Sequence, residues 1–586
     1  MEKPLYDVRK ITDIRDLLNQ SLELFAERPA FKLKDKKTGE YLPRSYKDFT
    51  HDVQALGTGL WSEGFRNCHI AVMGVNSYQW GLTYLAVTSG LGVIVPVDKD
   101  LPFDDVNNIL TVSEATLLVT DKKGLAKLKP HKSKLPANLK IMAMEDDYRP
   151  DGVLSLPETM KKGGELVDAE DDAFKAYWNS PIDPKAMSVI IFTSGTSGMA
   201  KGVMLSQENI CFDIMSTIST VKITPDDQLF SVLPMHHTFE CTLGFIAPIY
   251  CGACNAFCDN LMRMVRDIQA VQPTVFLAVP LMLEKMHDRI IRSASKKKGG
   301  KFSLGMGKAL AKATDAIGLS LNDKIFKQIN KAFGGKLRLV IVGAAAVRPD
   351  VIKDFKTFGV TSYVGYGLTE CAPLVSGNND ELFTTDTVGK PIPGVEVKID
   401  NPNDSGIGEI LVKGPNVMLG YYKDEEETEK VIDADGWFHT GDLGKVDKDG
   451  NIRITGRAKN VIVTSNGKNI YPEEIEYYLN RNPFIAESMV VGNDDNKDEG
   501  TVVEAKIFPD VNAIKESLKE AREPTQEEIK KVVDQVVKEI NKKLPSYKSI
   551  HDITIRSKEF VKTTTAKIKR FASENKDETK DEAEDK

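Results

Sequence analysis

Long hydrophobic runs are missing from these 586 residues. The most apolar window, residues 242–257, is interrupted by Gly244, Pro248, Gly252 and Asn255, and it falls short of the roughly 20 apolar residues a spanning helix needs. The opening stretch MEKPLYDVRK is charged with no apolar segment behind it, so no secretory leader is expected and a cytoplasmic location is. Cysteine is scarce, 7 in the chain, which excludes a disulfide framework. Cys251, Cys254 and Cys258 are closely spaced with Cys241 nearby, but a cluster needs a fourth well-placed ligand. The stretch PIYCGACNAF reads instead as a buried strand and turn in which cysteine is a small hydrophobe. A basic excess is missing too. The 78 Lys and Arg against 85 Asp and Glu leave a net charge of −7, and broad nucleic-acid binding is excluded.

What is present is 41% hydrophobic and 28% charged, the make-up of a globular protein with a large core, in a chain long enough for about four domains. From about residue 45 to 370, helical patterns alternate with short β-branched runs such as HIAVMG (69–74), GVIVPVD (92–98), SVIIFTS (188–194), TVFLAVP (274–280) and LRLVIVG (337–343). Strands that are apolar throughout and alternate with helices belong to parallel sheets buried on both faces, so the fold class is α/β with layered, mostly parallel sheets. Residues 292–336, with SASKKKGGK, read as a solvated basic insertion, contact with an anionic membrane being the alternative. Short strands with turns fill 385–455. Residues near 456–570 form a separate small α+β unit, where Thr525 and Glu528 spell a capping box before an apolar helix face of Ile529, Val532, Val533, Val536, Val537 and Ile540. The acidic tail 571–586 has too few apolar residues to fold.

Chemistry begins at FTSGTSGMAKG, residues 192–202, where a strand opens into a turn rich in Gly, Ser and Thr. Glycines let backbone N–H groups converge on an anion, and the hydroxyls of Thr193, Ser194, Thr196 and Ser197 with the Lys201 ammonium add donors. Lys201 is followed by Gly202 rather than by Ser or Thr, so this is a phosphate loop but not a Walker A loop. Four further stretches follow it: GYGLTE (365–370), WFHTGD (437–442), GRAKN (456–460) and KTTTAKIKR (562–570). Of the pair His236 and His237, adjacent strand residues would face opposite ways, which makes a shared metal improbable and leaves one functional histidine.

In this order and at these distances, the stretches resemble the adenylate-forming, AMP-binding superfamily from about residue 12 to 570. LPMHHTFE (233–240), PTVFLAVPLMLEKM (273–286) and YGLTECAPLVS (366–376) are similar to its long-chain fatty-acid–CoA ligase branch. The chain departs from the family pattern at Ser197 and Ala200 in the loop, in VGAAAV (342–347), and at Val561 and Ala566 before Lys567.

The resemblance implies a large AMP- and acyl-binding domain over 1–455, with its small strand-rich subdomain, a hinge at 456–459 and a mobile C-terminal domain over 460–570. It implies that the loop 193–201, including Gly195 and Gly198, cradles the phosphates of ATP, and that Glu370 and Thr193 hold Mg2+. Gly343, Ala344, Tyr366, Gly367 and Thr369 surround the nucleotide, Tyr366 packing on adenine. Asp442 and Arg457 serve the ribose, and His237 lines the meeting point of acyl carboxylate and α-phosphate. Lys567 supports adenylation, Lys459 is the hinge, and Gly467 with Lys468 lines the thiol side. The implied reaction joins a fatty acid to coenzyme A through an acyl-adenylate. A carrier protein is left open as the acceptor and the inner membrane face as a peripheral contact. The alternatives are a non-catalytic acyl or nucleotide sensor, against which the retained Lys567, Glu370, Thr193 and Asp442 count, and an amino-acid-activating domain, for which HHTFE offers no ammonium-binding Asp.

Overall fold

Apolar runs buried on both faces build two large sheets, each parallel at its centre and antiparallel at an edge. The computed structural model describes residues 2–193, 200–258, 260–296, 333–464, 468–493, 501–518, 522–562 and 567–576. The expectations placed on Ser194, Gly195, Thr196, Ser197 and Gly198, on Gly467, on Ala566 and on residues 297–332 of the basic insertion lie outside these residues.

Among the described residues, one sheet has eight strands. Its parallel centre is Gly92–Val97, Cys68–Met73, Leu117–Thr120 and Lys140–Ala143, flanked by Met187–Thr193. The other has nine, with Cys254–Phe257, Gln228–Ser231, Val275–Ala278, Leu339–Val342 and Thr361–Gly367 running parallel. Ile70, Val72, Ile94 and Val95 are closed off from solvent, as the predicted two-faced burial requires. PIYCGACNAF differs in its first half, which is the helix Ala247–Cys251, ended by left-handed Gly252 before the strand Cys254–Phe257. Its cysteines are all buried, and burial pushes the Cys251 thiol up to about 12 and Cys254 to about 11.

Contacts divide the chain into two compact units, Met1–Val397 with Val412–Phe438, and Lys398–Leu411 with His439–Lys586. The division falls inside the turn-rich region, so the strand pair Phe438–Val446 and Ile452–Arg457 lies almost wholly in the second unit. That unit also holds the sheet Ile485–Asn493, Val502–Pro509 and Asp552–Ile555, covered by the helix Gln526–Asn541. Thr525 and Glu528 cap this helix reciprocally, and Ile529, Val533, Val536, Val537 and Ile540 are buried. Each such side chain contributes roughly 1.5–3 kcal/mol. The acidic tail is structured at its start: Ser573–Lys576 forms a helical turn and Asn575 is fully buried. Composition missed this because one buried amide with three partners holds the turn where an apolar cluster is lacking.

The helices Tyr46–Ser62 and Leu156–Asp168 pack backbone to backbone. A Cβ on Gly163 would stand 1.9 Å from the Ala55 carbonyl oxygen, whereas at Gly164 its nearest neighbour would be 3.6 Å away. Gly163→Ala should therefore destabilise the protein by about 1–3 kcal/mol through overpacking. Gly164→Ala should be neutral or stabilising, since alanine is the better helix former. Thermal unfolding of the two variants decides it, and equal effects would refute the close approach.

Candidate active site

The stretch expected to hold phosphate joins two paired strands. Met187–Thr193 pairs antiparallel with Lys201–Ser206, in a register that sets Thr193 opposite Lys201. The loop thus returns into a strand, whereas a Walker A loop leads into a helix. The Thr193 hydroxyl lies 3.5 Å from the Lys201 carbonyl oxygen.

Lys201 is engaged. Its Nζ pairs with Glu427 on the helix Glu425–Val431 and stands 5.2 Å from the Tyr421 ring centre. That ammonium holds the Glu427 carboxyl below its ordinary range. The Tyr421 hydroxyl donates to Glu370 Oε1 at 3.1 Å, and the Glu370 carbonyl accepts from Met418 N–H at 2.8 Å. Tyr421 therefore links the two residues expected to meet the phosphates and the metal. The carboxylate of Glu370 and the hydroxyl of Thr193 are hard oxygen donors, which suits Mg2+. Sequence reasoning missed Tyr421 and Glu427. Glu427 sits in the acidic run DEEETEK, which has the look of solvated surface, and only its pairing with Lys201 marks it.

The remaining residues of the first unit follow strand ends. Gly343 and Ala344 come after Leu339–Val342, and a Cβ on Gly343 would meet the Phe239 ring at 3.1 Å, which ties this turn to the HHTFE segment. Ala344 has φ +76°, a left-handed conformation in the stretch where the family motif carries glycines. Tyr366 and Gly367 end the strand Thr361–Gly367, and a Cβ on Gly367 would collide with the Pro373 carbonyl at 2.0 Å. Thr369 and Glu370 sit on the 3-10 turn Thr369–Cys371.

His236 and His237 correct an expectation. They lie in a turn beyond Gln228–Ser231, where strand alternation does not operate, and their rings are 4.2 Å apart. His236 is buried against Asp98 at 3.5 Å, and burial together with the His237 ring holds it well below its ordinary pKa, as a neutral imidazole. His237 is partly exposed. Asn76 positions the segment: its Nδ2 donates to Ser231 Oγ and the Leu233 carbonyl, and its Oδ1 accepts from Met235 N–H. Behind the histidines, Glu240 is 1% exposed, and among the described residues neither carboxyl oxygen makes a hydrogen bond. Burial pushes its pKa from about 4.5 up to about 8.

A narrow apolar pocket lies between the helix Gln207–Ile218, the segment 239–251 and the sheet, lined by Ile218, Val221, Leu229, Leu243, Leu277 and Ile341 among others. It admits water-sized spheres over only about 20 Å³, room for about one molecule. A long chain would have to part these side chains.

In the second unit, the two expected ribose residues face each other. Asp442 and Arg457 are partners across antiparallel strands, with Arg457 Nε 2.8 Å from Asp442 Oδ1 and Nη1 donating to the Thr440 carbonyl. Lys459 lies on the turn Ala458–Asn460, its Nζ 5.6 Å from the Phe571 ring centre, and Lys468 Nζ lies 4.5 Å from that of Tyr547. Lys567 is exposed, next to Ile568, which bridges back to Lys562. Among the described residues no cluster of three His, Cys, Asp or Glu could hold a metal by itself, and no helix is long and apolar enough to cross a membrane.

Residues 18–422 match the family model described as AMP-binding enzyme, and residues 459–580 match the AMP-binding enzyme C-terminal domain. Long-chain-fatty-acid–CoA ligase 1 of Homo sapiens is 31% identical over 473 residues, covering 76% of this chain and 67% of that protein. Long chain acyl-CoA synthetase 6, peroxisomal, of Arabidopsis thaliana is 29% identical over 511 residues, covering 81% and 70%. Two solved structures share the fold. ATP-bound MatB from Rhodopseudomonas palustris has a TM-score of 0.73 at 23% identity, covering 95% of this chain and 97% of that one. The anthranilate CoA ligase AuaEII with anthranoyl-AMP has 0.74 at 20%, covering 97% and 98%.

Glu240 generates a prediction. A carboxyl whose folded pKa is raised binds its proton more tightly in the native state, so stability is present at low pH and is lost as pH rises from about 4.5 through about 8. Glu240→Gln should melt increasingly above the wild type between those limits and level off beyond. A melting difference that does not change with pH would refute the assignment.

Proposed function

The chain belongs to the AMP-binding enzyme family, on the long-chain-fatty-acid–CoA ligase branch, and on that premise we propose that it makes long-chain fatty acyl-CoA. One acyl carboxylate oxygen attacks the α-phosphorus of ATP, the bond to the β-phosphate oxygen breaks, and pyrophosphate leaves. The thiol of coenzyme A then attacks the acyl carbon of the mixed anhydride, losing its proton, and AMP departs. The observation that carries the long-chain reading is the likeness to long-chain-fatty-acid–CoA ligases, and the apolar pocket beside the HHTFE segment supports it. Its described lining is carbon except for Thr217, which suits a hydrocarbon and excludes a charged acyl tail.

Each polar residue has a role in this reading. The hairpin at 193–201 takes the phosphates, and Lys201 exchanges Glu427 for phosphate oxygens when ATP binds. Mg2+ held by Glu370 and Thr193 would offset the charge that builds on the phosphoryl oxygens. Tyr421 orients the Glu370 carboxylate. Tyr366 packs on adenine beside Gly367 and Thr369, with Gly343 and Ala344 along the nucleotide. Asp442, steered by Arg457, accepts from the ribose hydroxyls. His237 meets the junction of carboxylate and α-phosphate, with neutral His236 fixing its ring. Lys567 adds positive charge in the adenylation step. Lys459 is the pivot on which residues 460–570 exchange Lys567 for the loop of Gly467 and Lys468 in the second step.

Two experiments test the reading. ATP–pyrophosphate exchange across acetate, octanoate, palmitate, oleate, benzoate and amino acids should respond to the long-chain acids. Lys567→Ala should slow that exchange on the order of 10²–10³-fold, the cost of one preorganised donor, while sparing thioester formation from supplied acyl-adenylate. Exchange driven best by acetate or benzoate would overturn the substrate class. Leu277→Trp should move preference toward shorter acids by filling the cavity, and an unchanged chain-length profile would place the acyl chain elsewhere.

A further inference from the structure

The loop that carries Lys567 is closed at its neck. Lys569 N–H donates to the Val561 carbonyl at 2.9 Å, and Lys562 bridges Ile568 antiparallel. Both arms are held by one side chain outside the motif, Asn575. Val561 N–H donates to Asn575 Oδ1 at 2.9 Å, and Asn575 Nδ2 donates to the Val561 carbonyl at 3.0 Å and the Lys569 carbonyl at 2.9 Å. Its single acceptor faces an N–H and its two donors face carbonyls, so the partners themselves fix which way the amide points. The residue is fully buried, on the helical turn Ser573–Lys576.

We propose that Asn575 is the positioning residue that sets the Lys567 loop for adenylation. This rests on the adenylation role given to Lys567 above. Lys567 lies two residues from Lys569 and one from the bridging Ile568, so whatever fixes the neck limits where its ammonium can stand. The flanks are pinned separately. Lys562 pairs with Glu487, which also accepts from Phe560 N–H at 3.2 Å, and Arg570 pairs with Glu476 and donates to the Val490 carbonyl at 3.0 Å. Those contacts tie each arm to the small domain. Asn575 ties the arms to each other through its side chain. Without it, Val561 N–H loses its partner inside the fold, the Lys569 carbonyl keeps only the Ala572 N–H, and the neck opens toward water.

The test compares Asn575→Ala, Asn575→Asp, Lys567→Ala and the double variant Asn575→Ala/Lys567→Ala in the full-length protein. Adenylation and thioester formation from supplied acyl-adenylate are measured separately. Asn575→Ala should slow adenylation on the order of 10- to 100-fold, as expected when a catalytic group is misplaced by about 1 Å, with thioester formation unchanged. Asn575→Asp keeps the acceptor but turns a carboxylate on two carbonyls, so it should not rescue. In the double variant the Asn575 change should add nothing to the loss caused by Lys567→Ala. Amide hydrogen exchange at Val561 and Lys569 should quicken in Asn575→Ala while the helix 526–541 keeps its protection. Equal losses in both half-reactions, additive losses in the double variant, or unchanged exchange at the neck would overturn the proposal. Full adenylation by Lys567→Ala would instead overturn the role of Lys567, and the positioning role with it, while quickened neck exchange would still show Asn575 to be a brace.

Discussion

Burial of both faces of the two large sheets is the constraint from which the rest of the first unit follows. Strands such as Gly92–Val97 and Leu339–Val342 have no polar face to offer, so polar chemistry is pushed to where the strands end. Thr193, His237, Gly343, Tyr366 and Glu370 all lie at or just beyond the carboxyl end of such a strand. Close packing there leaves narrow choices. Gly367 has the Pro373 carbonyl where a side chain would be, and Gly343 has the Phe239 ring.

Charge pairing is the second organising feature. Lys201 with Glu427, Asp442 with Arg457 and Arg570 with Glu476 each bring a group expected near the nucleotide, or beside a loop that serves it, against an opposite charge. A pre-paired group is held in place at the cost of a competitor that the substrate must displace. For Lys201 the competitor is Glu427, and a triphosphate offers more negative charge than one carboxylate. For Asp442 the partner is an aid, since Arg457 holds one oxygen of its carboxylate in place across the strand pair. Glu240 is the opposite case, a carboxyl held neutral chiefly by burial behind the histidine turn.

Much of this was legible in one dimension. The strand runs, the capping box at Thr525 and Glu528 and the failure of the Walker A pattern at Gly202 are local signals, and each corresponds to an element of the structure. Where local pattern misled, a local rule had been applied outside its element. Strand alternation was assigned to His236 and His237, which sit in a turn, and strand character to Pro248–Cys251, which is the end of a helix. The tail was judged by composition, and composition cannot register one buried asparagine that satisfies three backbone groups.

The sequence by itself determined the α/β class, the family and the order of the polar stretches along the chain. These depend on hydrophobic periodicity and on residue types at short spacing, which survive in one dimension. Only the tertiary structure decided which groups meet. Tyr421 stands between Lys201 and Glu370, Asp442 faces Arg457, Asn76 holds the histidine turn, and Asn575 closes the Lys567 loop. The physical reason is that hydrogen bonds and ion pairs reach about 3–4 Å in space whatever the separation along the chain. Glu427 lies more than two hundred residues from Lys201, and no periodicity in the sequence joins them.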